Sequence, residues 1–141
     1  MGPMQASCTN SVMTAALTDR ARELLTGTNF AFIADLMGDG WPHVTPVWID
    51  LDGDLILVNT AKGRHKEANI RRDGRVAISI SPDGEPYEHV DIRGRVVEIR
   101  EGEAAVADIN RLGKKYRDWD AYPLGEGEER VSFLIEPVSV K

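Results

Sequence analysis

The stretch "WPHVTPVWIDLDGDLILVNTAKGRHKEANIRRDGRVAISI", residues 41–80, decides the architecture. Two apolar runs flank Asp52–Gly53, the residue pair that a tight hairpin requires. The second run, "LILVNT", is a compact strand that leads into a basic segment with helical order from Arg64 to Arg72. Asp73–Gly74 then returns the chain to another strand, "RVAISISP". In the first run Val47, Ile49 and Leu51 form a core-facing row, while Val44, Pro46 and Trp48 put apolar bulk on the opposite face. A strand apolar on both faces is covered on both, and in so short a chain the second cover is a ligand, a partner subunit or both. Pro42 and Pro46 cannot donate to a ladder, so this strand belongs at an edge or a bulge.

Outward from this stretch the same grammar continues. "FAFIADL" (residues 30–36) precedes the turn "MGDG", and "YEHVDIRGRVVEI" (87–99) is a long strand with Gly94 where a bulge or bend is expected. "RVSFLIEPVSV" (130–140) closes the chain as a sixth strand. Helical spacing marks residues 14–25, with Gly27 as their stop, and 101–116, with Ala104, Ala105, Ile109 and Leu112 on the buried side. Sequential antiparallel strands with one long bent member predict a mainly β (α+β) chain rolled into a small barrel.

Composition bounds the function. The 141 residues suffice for one domain, expected over 14–141 behind a small, polar, disordered tail over 1–13. A net charge of -6 argues against nucleic acid as partner, which needs a broadly basic footprint. Cys8 is the one cysteine, so no intrachain disulfide forms, and no Cys/His cluster has zinc spacing. No apolar run reaches the length of a membrane span and no signal peptide is evident, so the expected location is cytoplasmic, with no membrane partner.

Local catalytic motifs are missing. There is no Gly-x-Ser-x-Gly elbow and no Walker or Rossmann glycine pattern. His43, His65 and His89 are scattered singly, and Asp118 with Asp120 reads as a loop pair. What stands out is residues 59–75, where Lys62, Arg64, Lys66, Arg71, Arg72 and Arg75 face only Glu67 and Asp73. A helix that starts near Arg64 directly after a strand offers unpaired N–H groups and a positive dipole end to an anion. Arg64 can clamp phosphate oxygens with its planar fork, Lys66 adds a point charge and Thr60 a hydroxyl. Arg64 and Lys66, with Lys62 as a third candidate, are expected to bind. Arg71, Arg72 and Arg75 are expected to meet solvent or carboxylates.

Taken together, "PHVTPVWI", "LILVNTAKGRHKEANIRRDGRVAISI" and "YEHVDIRGRVVEI" resemble the pyridoxamine 5'-phosphate oxidase-like split β-barrel flavoproteins, and more closely their branch that uses the deazaflavin coenzyme F420. The order Arg64-x-Lys66-x-x-Asn69 followed by Arg-Arg-Asp, and the stretch Arg117 to Tyr122, carry the likeness, which runs from about Ala16 to Val138. The resemblance implies a six-stranded antiparallel split β-barrel of the FMN-binding type with a few peripheral helices. It implies a homodimer with coenzyme grooves at the subunit interface. His43, Thr45, Pro46, Val47 and Trp48 would lie beside the tricyclic ring. Asn59, Thr60, Lys62, Arg64, Lys66 and Asn69 would serve its ribityl and phosphate end. Tyr87 and Trp119 would approach from the partner subunit or line the substrate mouth. The implied activity is an F420-dependent oxidoreductase that passes a hydride to an unsaturated small-molecule substrate. FMN in the same groove, or a carrier that binds coenzyme without turnover, are the alternatives. No proton donor stands out; Tyr87 and His43 are weak candidates beside solvent. Because the chain ends without the C-terminal substrate-phosphate residues of the pyridoxamine phosphate oxidases, that particular activity is not expected.

Overall fold

The structure is a computed structural model that describes residues 14–141; the expected tail over 1–13, with Cys8, lies outside the described residues. Helix α1 (Asp19–Thr26) is followed by strands β1 (Ala31–Leu36), β2 (Pro42–Val47), β3 (Asp50–Asp52) and β4 (Leu55–Ala61). Helix α2 (His65–Arg72), β5 (Arg75–Ile80), β6 (Val90–Glu101), helix α3 (Gly102–Arg117) and β7 (Arg130–Val140) complete the chain. All seven strands join one antiparallel sheet in the order β2-β1-β5-β6-β7-β4-β3.

Seven strands replace the expected six because the run through residues 41–51 breaks after Val47. β2 pairs with β1 at one edge of the sheet, whereas β3 pairs with β4 at the other. Only Trp48 and Ile49 connect these two edges, so Val47 and Asp50 lie at most about 11 Å apart. The sheet must therefore curl until its edges meet, although no ladder joins β2 to β3 among the described residues. That is the split barrel: closed by the covalent chain and open in its hydrogen bonding. Both prolines sit on the edge strand β2, where a missing N–H breaks no central ladder.

The first helix also starts later than its apolar spacing suggests. Thr18 accepts a hydrogen bond from the Ala21 N–H at 3.0 Å and caps α1, while Ala15 N–H donates to the Pro137 carbonyl at 3.0 Å. The preceding residues are held alongside β7 instead of winding. Ala21, Leu24 and Leu25 from α1 plug the barrel, whose core includes Ile33, Ile49, Ile56, Val58, Ile78, Ile92 and Phe133. Gly94 sits at a register shift between β6 and β7. A Cβ there would come 2.4 Å from Ile135 Cγ2 and 3.1 Å from the Glu136 carbonyl oxygen, so only glycine fits without displacement.

Helix α3 decides which outer face is dry. Its buried residues Ala105, Asp108, Ile109, Leu112 and Gly113 lie against β4 and β7, so those strands are buried on both faces. Between this helix, the β2–β3 link and the start of α2 the surface stays concave.

Candidate functional site

The concavity is a groove of about 260 Å³ lined by Pro46, Val47, Trp48, Asn59, Thr60, Arg64 and Lys66, together with Phe30, Ile109, Leu112, Tyr122 and Arg130. Seven residues singled out from the sequence therefore meet in one place. β4 ends at Ala61, and Lys62–Gly63 turns the chain into α2 with Gly63 at φ +94, a conformation open chiefly to glycine. Gly63 N–H donates to Glu67 Oε1 at 2.7 Å, and Glu67 also pairs with Arg71 at 2.7 Å. These two contacts, the Gly63 bond first, hold the Glu67 carboxyl below the ordinary glutamate range. Arg64 occupies the N-cap position but makes no side-chain capping bond, so its guanidinium is free to reach elsewhere.

The six cations of this segment separate into two groups. Lys62 pairs with Glu101 at 3.2 Å and Glu129 at 3.7 Å, which raises its pKa. Arg71 pairs with Glu67 and Glu101, and Arg75 with Asp73. Arg72 donates to the Leu36 carbonyl at 3.2 Å and to Asn69 Oδ1 at 3.3 Å. Of the six, Arg64 and Lys66 alone have no side-chain hydrogen bond or ion pair among the described residues, and both line the groove. Burial lowers the Lys66 pKa; Asp35 opposes the shift, while Arg64 and Arg130 add to it. Beside them the Thr60 hydroxyl, on a residue only 2% exposed, has no hydrogen-bond partner among the described residues. A buried hydroxyl without a partner is costly and unusual. A lone donor next to two unpaired cations has the composition of an oxyanion seat, which fits the phosphate end of a flavin-type coenzyme.

Arg130 is the groove cation that sequence reading missed, because it lies 64 residues beyond Lys66 at the start of β7 and carries no local signal. Asn59, expected to meet a coenzyme, lines the groove and is also tied into the protein through its amide. It donates to the Ala105 carbonyl at 3.0 Å and to Ser132 Oγ at 2.8 Å, and its Oδ1 accepts from Arg130 Nε at 2.9 Å.

Other expected residues lie apart from the groove lining. Asn69 donates to Asp35 Oδ1 at 2.7 Å, and His43 Nδ1 lies 3.1 Å from the same oxygen. The buried Thr45 hydroxyl and Asp35 Oδ2 have no hydrogen-bond partner among the described residues. Tyr87 is 93% exposed. Trp119 packs against Trp48 of its own chain at 6.0 Å, edge to face, and Trp48 stacks on Tyr116 at 5.5 Å. Tyr122 adjoins both tryptophans. This aromatic wall was only partly legible, since Tyr116 sits in a helix and Tyr122 in a loop.

Among the described residues no group of three or more Cys, His, Asp or Glu side chains could hold a metal ion, and no helix is long and apolar enough to cross a membrane.

Comparison with known proteins fits this geometry. An F420 reductase of known structure superposes with a TM-score of 0.75 at 26% identity, covering 85% of this chain and 94% of that one. A conserved hypothetical protein from Mycobacterium tuberculosis gives 0.69 at 21% identity, covering 91% and 84%. An FMN-binding protein from Syntrophomonas wolfei gives 0.63 at 11% identity, covering 89% and 84%. No functionally curated protein matches the sequence. The family model described as pyridoxamine 5'-phosphate oxidase matches residues 17–140, nearly the whole described chain. A split barrel whose edges are joined by two residues, with a cationic groove beside that joint, thus places the chain in the pyridoxamine 5'-phosphate oxidase family, whose fold is a flavin-binding one.

Proposed function

We propose that the groove binds the deazaflavin coenzyme F420 and that the protein is an F420-dependent oxidoreductase acting on an unsaturated small molecule. The observation that carries the reading is the pairing of an unpartnered Thr60 hydroxyl with two unpaired cations, Arg64 and Lys66, on one groove wall. These three would hold the phosphate, while Pro46, Val47 and Trp48 would flank the ring. The likeness to an F420 reductase at 26% identity supports the choice of coenzyme. Such a coenzyme supplies hydride transfer, and the protein's part is to orient the two reactants and to keep water out. Trp48, Phe30 and Tyr122 suit the second task, being large, apolar and at the groove wall.

The second reading is FMN in the same groove, and one observation favours it. The glutamate tail of F420 calls for cations beyond the phosphate seat, yet Lys62 and Arg71 are paired with carboxylates and Arg72 is bound to a carbonyl and an amide. Either coenzyme would sit in a groove that a second copy of the chain completes. Phe32 (53% exposed) and Val44 (59% exposed) give the barrel an uncovered apolar face, which supports a homodimer. Sedimentation at micromolar concentration tests that assembly, and a purely monomeric protein would remove it.

Binding is tested by titrating the purified protein with F420 and with FMN, alongside the Arg64→Ala/Lys66→Ala variant. A charge-assisted hydrogen bond contributes roughly 1.5–3 kcal/mol, so the double variant should bind at least about tenfold more weakly. Selective FMN binding would replace the first reading by the second. Unchanged affinity in the variant would reject the phosphate seat for both. Turnover is the further requirement: reduced coenzyme that is never consumed across a panel of electron-poor alkenes and quinones identifies a carrier.

A further inference from the structure

Arg130 is only 5% exposed, and it lines the same groove as Arg64 and Lys66. Burying a guanidinium is costly unless its N–H groups are met, and here they are met unevenly. Nε donates to Asn59 Oδ1 at 2.9 Å and Nη1 to Glu128 Oε2 at 2.6 Å. The plane lies over the Tyr122 ring, with Cζ 4.9 Å from its centroid. Among the described residues no protein acceptor meets Nη2.

The support behind Arg130 is unusually complete. Asn59 must present its oxygen to Nε because its amide nitrogen is held by the Ala105 carbonyl and by Ser132 Oγ. Ser132 in turn donates to Asp108 Oδ2 at 2.7 Å, and Asp108 faces Arg100 at 3.4 Å. Asn59, Ser132 and Asp108 are all buried. On the other side Glu128 is fixed by the Gly125 N–H, which with Arg130 keeps its carboxyl ionised below the usual range. Such a buried network, which leaves Nη2 open, restricts the guanidinium to one orientation. A purely structural ion pair would need only Glu128, which sits at the surface end. The Asn59 arm and the Tyr122 face add orientation without neutralising charge. With Glu128 counted, Arg64, Lys66 and Arg130 still leave about two positive charges around the groove, a match for one phosphate group.

We propose that Arg130 is a third anion-binding residue of the groove, pre-aimed by Asn59 and Glu128, and that its Nη2 grips the same phosphate that Arg64 and Lys66 attract. The proposal rests on the reading of the groove as a coenzyme-phosphate seat. It makes that seat a composite of distant segments, α2 on one side and β7 on the other.

The test compares Arg130→Gln and Arg130→Lys with Arg64→Ala/Lys66→Ala in FMN and F420 titrations, with inorganic phosphate as competitor and a thermal melt as the folding control. Arg130→Gln should weaken both coenzymes about tenfold or more, and Arg130→Lys, which keeps the charge but loses the fork, should fall between it and the wild type. In the unmodified protein, the Arg130 Nε–H resonance should shift on addition of FMN and of inorganic phosphate. Coenzyme affinity within twofold of wild type in a folded Arg130 variant would overturn the proposal while the Arg64/Lys66 result decides the phosphate seat separately. Should both variants fail to fold, an Nε–H resonance unmoved at saturating FMN would overturn it alone.

Discussion

Replacing Thr60 by Val should move stability and binding in opposite directions. The Thr60 side chain is buried at the end of β4, and its hydroxyl finds no partner among the described residues. Leaving a buried hydroxyl unpaired costs about 1–3 kcal/mol, so exchanging it for a methyl of similar shape relieves about 1 kcal/mol in the coenzyme-free protein. For a chain of this size that corresponds to roughly 3 °C in Tm. A β-branched residue also suits the strand, so the backbone has no reason to object. With an anion bound, the same hydroxyl is a donor to a charged acceptor, and its loss removes about 1.5–3 kcal/mol of binding, or roughly 10- to 150-fold in Kd. The assays are thermal and urea unfolding without coenzyme, and fluorescence titration with FMN or F420, with Thr60→Ser as the control that keeps the donor. A Val variant that is less stable by 1 kcal/mol or more would refute the reasoning, because the hydroxyl would then have a protein partner. Unchanged coenzyme affinity would refute the other half, leaving an orphan hydroxyl unrelated to the ligand.

Two further outcomes follow from the same geometry. In the proposed seat Lys66 would bind an anion as its protonated form, and burial lowers its pKa in the free protein. A bound anion raises that pKa again, so, once the phosphate is a dianion, affinity for inorganic phosphate or FMN should be level up to the free-state value. It should then fall by at most about tenfold per unit as pH rises beyond it, whereas Lys66→Arg should show no fall below the arginine range; parallel profiles for the two proteins would exclude Lys66 from the seat. Tyr116→Phe should destabilise the fold by roughly 1–3 kcal/mol in urea unfolding. The phenol, its pKa pushed up by burial to about 12, donates to the Asn29 carbonyl at 2.6 Å and accepts from the Ile49 N–H at 3.2 Å. A variant as stable as the wild type would mean that water replaces both contacts.

Much of the fold was written locally. The Asp52–Gly53 turn, the alternation in residues 47–51, and a glycine at the bend of the long strand depend on neighbours within a few residues, and they were readable as such. The meeting of Thr60, Arg64 and Lys66 on one groove was legible for the same reason: they lie within one strand–turn–helix unit, so spacing alone brings them together. The break at Trp48–Ile49 was hidden because an apolar run looks alike whether it continues one strand or hands the chain from one sheet edge to the other. Tertiary packing alone could sort the six cations. Whether Lys62 or Arg71 is available depends on Glu101, some 30 residues or more downstream at the end of β6, and charge patterning within the segment does not contain that information.

The sequence by itself determined the strand grammar, the β-rich class and one wall of the groove, since each depends on short-range geometry. Only the tertiary structure decided that β2 and β3 become opposite edges of one curled sheet. It also brought Arg130 from β7 into the groove that Lys66 lines, and set Asn59, itself a lining residue, as the brace for that arginine. These are pairings across long stretches of chain, selected by which faces bury best against each other, and no local propensity encodes them.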